Sequence, residues 1–243
     1  MRPVRLGDLL IGERPILVAT SLAGSVDEML IHATRALAAG ADCIELRIDR
    51  LPTNDDVAEL IRRIEAPHVV ACRTPAFGGT FERSETERIE RLETAVEEGA
   101  TAIDIESLTD PKLRDRLIDT ARAHGTPVLI GYENMSKTPP TEEIVRNLKG
   151  VAELEPDLVK LAVRARSYDD LLVVLETALE MRTFLNVPFA AIALGPYGAP
   201  SRPLACLLGA SFTYCAIEGG GVPGQLTVTE TREVMKTLSK ERW

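Results

Sequence analysis

Residues 157–193 read DLVKLAVRARSYDDLLVVLETALEMRTFLNVPFAAIA, and this stretch decides the fold. Residues 157–163 form a short run of Leu, Val and Ala, the pattern of a strand buried on both faces. Residues 168–183 are longer and carry apolar side chains at helical spacing. Residues 188–193 are again a short apolar strand. A strand, a helix and a second strand in succession specify a parallel pair with a right-handed crossover. Upstream, strands are predicted at 16–20, 42–48, 68–73, 101–106 and 127–132. The helices that follow them are predicted at 26–39, 54–64, 82–98, 110–123 and 141–153. Downstream come a helix near 202–208, a strand at 212–217 and a helix at 227–238. Eight strand–helix units of about 28 residues each predict one (β/α)8 TIM barrel over residues 1–243, a single domain, rather than an open doubly wound sheet. No GxGxxG follows the first strand, so the usual dinucleotide signal is missing. Residues 4–11 precede the first strand and are predicted to form a hairpin that closes one barrel end.

Charge narrows the function. The chain holds 28 Lys and Arg against 37 Asp and Glu, a net charge of −9, and has no basic run. That argues against nucleic acid as the partner, because phosphate binding needs clustered cations. The acidic surplus, for example along residues 82–98, reads as a solvated helix face. Cys43, Cys72, Cys206 and Cys215 form no CxxC pair and have apolar neighbours. They are expected to be buried free thiols in a reducing compartment. The first residues lack the pattern of a signal peptide, and no apolar run reaches membrane-spanning length. A cytoplasmic enzyme is the expectation.

Barrel active sites lie at the C-terminal strand ends. In CIELRID (43–49), Glu45, Arg47 and Asp49 share one parity, so three charges would point inward. They require either a polar pocket or an internal ion-pair network. Arg73 ends the third barrel strand. Asp104 and Glu106 end the fourth, and Tyr132, Glu133 and Asn134 end the fifth. Lys160 sits within the apolar run of the sixth. Its alternatives are an amine freed as a nucleophile by desolvation and neighbouring cations, or a lysine satisfied by Glu106 or Glu133. The loops GPYGAPSRP (195–203) and GGGVPGQ (219–225) supply Arg202 and Gln225, and such loops commonly bind anions. His32, His68 and His124 all fall away from strand C-termini. Arg47, Arg73 and Lys160 interleave the carboxylates, so no metal is expected.

These residues, taken in order, resemble the type I 3-dehydroquinate dehydratase family over nearly the whole chain. The resemblance is carried by VRLGDLLIG (4–12), ELRID (45–49), ACRT (71–74) with Gly78 and Gly79, DIE (104–106), KTP (137–139), VKLAV (159–163), SRP (201–203) and PGQ (223–225). It implies a hydro-lyase that forms an imine between Lys160 and the ketone of 3-dehydroquinate and eliminates water. The lysine imine is the electron sink, so no cofactor is implied. Arg202 matches the arginine that binds the substrate carboxylate. Glu45, Arg47 and Arg73 match residues that hold its hydroxyls, Gln225 matches a lid glutamine, and Ser21 matches a contact after the first strand. A homodimer is also implied. Three positions depart from the family. Glu133 stands where the acid/base histidine is expected, Gly221 where a lid serine is expected, and Phe77 where an acid precedes the glycine pair. Glu133 is therefore the expected proton carrier, with Asp104 and Glu106 supporting. The other readings are a Schiff-base lyase or aldolase for a different hydroxylated keto acid, and an inactive binding homologue.

Overall fold

A computed structural model of the chain describes residues 1–217 and 224–238. It begins with an antiparallel hairpin, β1 (Val4–Leu6) and β2 (Leu9–Ile11). Eight parallel strands follow, β3 (Ile16–Ser21), β4 (Cys43–Arg47), β5 (His68–Ala71), β6 (Ile103–Glu106), β7 (Val128–Asn134), β8 (Leu158–Arg164), β9 (Phe189–Leu194) and β10 (Phe212–Ala216). Each pairs with the next from β3 to β9, and β10 returns to pair with β3. Ser211 N donates to Phe189 O at 2.7 Å where β9 meets β10, so the barrel is nearly closed. The helices that alternate with the strands are α1 (Val26–Ala38), α2 (Asn54–Arg63), α3 (Glu85–Glu97), α4 (Pro111–His124), α5 (Thr141–Ala152), α6 (Tyr168–Phe184), α7 (Ser201–Leu207) and α8 (Val228–Leu238).

Strand side chains alternate between two apolar compartments, as a period of two requires. On β3, Leu17 and Ala19 pack outward with Met29 and Ala33 of α1. Ile16 and Val18 face inward with Cys43, Leu129, Leu158 and Phe212. Leu6 and Ile11 of the hairpin join this inner cluster and are almost fully buried, so the hairpin plugs the N-terminal end as the sequence predicts.

Local chemistry sets the element ends. Ser84 Oγ accepts from Glu87 N, and the Glu87 carboxylate accepts from Ser84 N, a reciprocal cap that starts α3 at Glu85 rather than at residue 82. The acidic side chains of α3 are exposed or half-buried, as expected of a solvated face, whereas Arg88 and Arg91 are each only 2% exposed. Arg91 donates to the carbonyls of Ile48, Leu51 and Pro52, the segment just past β4. That segment is a short 3-10 turn, Ile48–Arg50, so β4 stops at Arg47. All four cysteines are buried free thiols. Burial pushes Cys43, Cys72 and Cys206 up to about 12 and Cys215 to about 11. Among the described residues, no helix is long and apolar enough to cross a membrane.

Candidate active site

The inward parity that is apolar at the hairpin end turns polar at the other end. On β4, Cys43 gives way to Glu45 and Arg47. On β8, Leu158 gives way to Lys160, and on β7 Leu129 gives way to Gly131 and Glu133. Lys160 Nζ lies 2.5 Å from Asp104 Oδ2 and 2.9 Å from Glu133 Oε1. Arg73, two residues past β5, places one terminal nitrogen 2.6 Å from Asp104 and 3.0 Å from Glu133. Its other terminal nitrogen lies 2.6 Å from Glu106 Oε1. Glu106 Oε2 in turn lies 2.7 Å from Arg88. Carboxylates and cations thus alternate from α3 to the lysine, and every one of these groups is buried. Alternation offsets much of the cost of removing the charges from water. Gly131 pairs with Lys160 in the ladder and makes room for it. A Cβ there would sit 3.0 Å from Glu133 Oε1 and 3.3 Å from Lys160 Cε.

This geometry corrects one expectation. The lysine is not freed by desolvation and cations. Burial and Arg73 do favour the neutral amine, but Asp104, Glu133 and Glu45 outweigh them and hold Lys160 above its ordinary value. Its partners are Glu133, as one alternative has it, and Asp104, which was not expected; Glu106 is not among them. Arg73 lies against both Glu106 and Glu133. Burial opposes ionisation of Asp104, yet Arg73 and Lys160 keep its carboxyl below the usual range.

The charges of CIELRID divide between the two roles open to them. Glu45 and Arg47 line the pocket. Arg47 also forks onto Asp49 at 2.8 and 3.2 Å, and Asp49 accepts from Thr80 N at 3.0 Å. Asp49 thereby anchors the loop after β5, and Arg47 donates to Gly78 O within it at 3.2 Å. The loop passes so close to itself that a Cβ on Gly79 would lie 1.9 Å from Arg73 O. It brings Phe77 and Gly78 into the pocket wall.

Around an open cavity of about 620 Å³ stand Glu133, Lys160, Arg73, Arg202 and Gln225, with Phe77, Met135, Ala162, Ile192 and Leu194 as an apolar side. Arg202, in the first turn of α7, is 1% exposed, and among the described residues its Nε has no hydrogen-bond partner. Burial draws its guanidinium down to about 10. A buried, under-paired arginine facing a cavity is an anion receptor. Thr20 Oγ1 and Tyr214 OH are also buried without partners among the described residues, and both residues line the same cavity. The Tyr214 ring lies 5.4 Å from Lys160 Nζ.

Ser21 does not reach the pocket. It takes the outward parity of Leu17 and Ala19, and its Oγ bonds His32 Nδ1 of α1 at 3.0 Å. Thr20, one residue earlier, holds the wall position. Thr20 and Tyr214 were missed, although counting pleats from Val18 and Phe212 points to both. Met135 follows β7 in a loop and has no such signal. Asp104 and Glu106 lie beside the cavity lining rather than in it, and Gly221 falls outside the described residues.

Fold and site together define a (β/α)8-barrel enzyme with a charged pocket at the C-terminal ends of its strands. The profile of the type I 3-dehydroquinase family matches residues 18–242. The chain belongs to that family, which is one of hydro-lyases. It is 34% identical over 230 residues to the 3-dehydroquinate dehydratase of Methanosarcina acetivorans, covering 90% of this chain and 95% of that protein. It is 35% identical over 216 residues to that of Methanothermobacter thermautotrophicus, covering 88% and 93%. The crystal structure of type I 3-dehydroquinate dehydratase from Clostridium difficile, with covalently modified comenic acid, matches with a TM-score of 0.91 at 26% identity. That match covers 99% of this chain and 98% of the other.

Proposed function

We propose that residues 1–243 act as one catalytic barrel that dehydrates 3-dehydroquinate to 3-dehydroshikimate through an imine on Lys160. The observation that carries this reading is the buried amine flanked by two carboxylates, at 2.5 and 2.9 Å, on the wall of a cavity that also holds the under-paired Arg202. Arg202 receives the substrate carboxylate, and Glu45, Arg47, Arg73 and Gln225 hold its hydroxyls. Binding brings the ketone to Lys160. The ammonium passes one proton to a flanking carboxylate, and the free amine adds to the carbonyl. Loss of water from the adduct leaves a protonated imine, which acidifies the neighbouring carbon.

Glu133 takes the proton from that carbon. It reaches Lys160 and faces the cavity, the position a general base needs. The electron pair released there expels the β-hydroxyl, which leaves as water with a proton returned by Glu133. Hydrolysis then restores the amine. The balance is one substrate to one product and one water, with the lysine imine as the electron sink. By the same resemblance the protein works as a cytoplasmic homodimer in the biosynthesis of aromatic amino acids.

The test is to mix protein with 3-dehydroquinate, reduce with borohydride and record the intact mass. An adduct of the dehydrated product on Lys160 is expected. An adduct of intact substrate would instead mean that elimination is blocked at Glu133. No adduct would overturn the reading and point to a different keto acid or to no catalysis. Glu133→Gln is expected to lose turnover and keep imine formation. Full activity in that variant would remove Glu133 from the mechanism.

A further inference from the structure

Arg88 lies outside the pocket lining and has an unusual set of partners. Its guanidinium meets Glu85 at 2.8 and 2.8 Å, Thr109 Oγ1 at 2.8 Å, Cys72 O at 2.9 Å and Glu106 Oε2 at 2.7 Å. Glu106 is therefore divided, one oxygen toward Arg88 and the other toward Arg73. We propose that Arg88 is a positioning residue: by holding Glu106 from behind, it keeps Arg73 extended across Asp104 and Glu133, so that both carboxylates are shared between Arg73 and Lys160.

The argument is geometric. A guanidinium and a carboxylate frequently form a two-point pair when both oxygens are available. Arg88 occupies one oxygen of Glu106, so Arg73 meets that carboxylate at one point and its other terminal nitrogen reaches Asp104 and Glu133. Without Arg88, Glu106 offers both oxygens and draws Arg73 toward itself. Asp104 and Glu133 are then left to Lys160. The groups that face the amine are Glu45 from β4, Arg73 past β5, Asp104 from β6, Glu133 from β7 and the Tyr214 ring from β10. Arg73 is the cation among them, and it opposes protonation of the lysine. Its withdrawal makes Lys160 hold its proton more tightly and ties Glu133 to the ammonium. Contacts of Glu45, Arg47, Arg202 and Gln225 with substrate are untouched and only that of Arg73 is weakened, so kcat falls more than KM rises.

This inference rests on Lys160 as the imine-forming amine, and its test separates the two ideas. Wild type, Arg88→Met and Arg88→Lys are assayed with 3-dehydroquinate. In parallel, Lys160 is methylated with formaldehyde and borohydride across a pH series and followed by peptide mass, which needs no turnover. Arg88→Met is expected to lower kcat by about tenfold or more, with a smaller rise in KM from the displaced Arg73. Its labelling midpoint for Lys160 is expected to move to higher pH, with Arg88→Lys recovering part of both. A folded Arg88→Met with wild-type kcat and midpoint overturns the positioning role. If Arg88→Met does not fold, Glu85→Gln loosens the same guanidinium from its more exposed side, and a smaller shift in the same direction is expected. No shift there overturns the inference equally. A wild type inert to 3-dehydroquinate would overturn the proposed function alone, because the labelling comparison stands without it.

Discussion

On β8, Leu158 and Lys160 point the same way into the barrel, two residues apart. Leu158 lies in an apolar plug with Leu6, Leu129 and Phe212, while Lys160 lies among Asp104, Glu133 and Arg73. The strand, its parity and its depth of burial are shared, since both side chains are at least nine-tenths covered. What differs is the neighbour above. The hairpin seals the lower layer, so any charge there would be unpaired and costly. The upper layer borders a cavity and is built as a charged network. Dispersion and the hydrophobic effect supply stability below. Paired charges above are weak contributors to stability for their number, and apolar residues of equal volume commonly do as well or better. The upper layer is kept for chemistry, and the lower layer keeps it rigid.

The sharpest way to break the comparison is to make the upper layer resemble the lower. Lys160→Met is expected to reduce kcat by ~10⁴-fold or more, the scale on which a covalent nucleophile is lost. It should also abolish the borohydride adduct while circular dichroism stays unchanged. Asp104→Asn comes next, since removing one member of a buried pair costs about 3–5 kcal/mol. The pH dependence follows from two directions. Asp104 is held below its ordinary 3.8, so its contribution is present above pH 3.8 and is lost as pH falls through the lower folded value. Lys160 is held above 10.5, so its contribution is complete below pH 10.5 and is lost as pH rises through the higher folded value. Melting temperature against pH should therefore show a broad plateau with both edges. In Asp104→Asn the acid edge should weaken and the alkaline edge should move to lower pH. Edges identical to wild type would mean that the pair does not couple to folding.

Leu158→Ala makes the converse change. It opens a cavity in the lower layer and is expected to cost about 2–5 kcal/mol by urea unfolding. Turnover of the folded fraction should stay within about threefold. A large loss of kcat with little loss of stability would mean that the two layers are not separable.

The two layers also differ in how far the sequence reveals them. Short apolar strands alternating with longer helices were enough for the barrel, its order and the hairpin plug, because periodicity is a property of neighbouring residues. Glu133 and Arg73 stood out for a related reason, as charges at the ends of apolar strands, Lys160 as a charge within one, and Arg202 as the arginine of a loop after one. Partner choice is a property of space, and it was legible only in part, since Glu133 meets the lysine as one alternative has it and Glu106 does not. Asp104 rather than Glu106 meets the lysine, because β6 brings its residue 104 to the depth of residue 160 and turns residue 106 toward α3. Arg88 lay hidden within a run of charges that resembles a solvated face, and nothing local to α3 distinguishes it from its exposed neighbours.

Ser21 and Thr20 give the finest test of parity. They are adjacent on β3 and both buried, one against His32 of α1 and the other against the cavity. The family resemblance favoured Ser21, whereas the alternation of Ile16, Val18 and Thr20 favours the threonine. Ser21→Ala removes one hydrogen bond and is expected to cost about 1 kcal/mol of stability with KM unchanged. Thr20→Val removes a hydroxyl that has no partner among the described residues, so stability should hold or rise slightly. If that hydroxyl meets substrate, KM should rise by up to about tenfold, the worth of one hydrogen bond. The opposite result, with KM moved by Ser21→Ala and not by Thr20→Val, would mean that β3 shifts by one residue when substrate binds. The inner face of the barrel would then have to be assigned again from the liganded state.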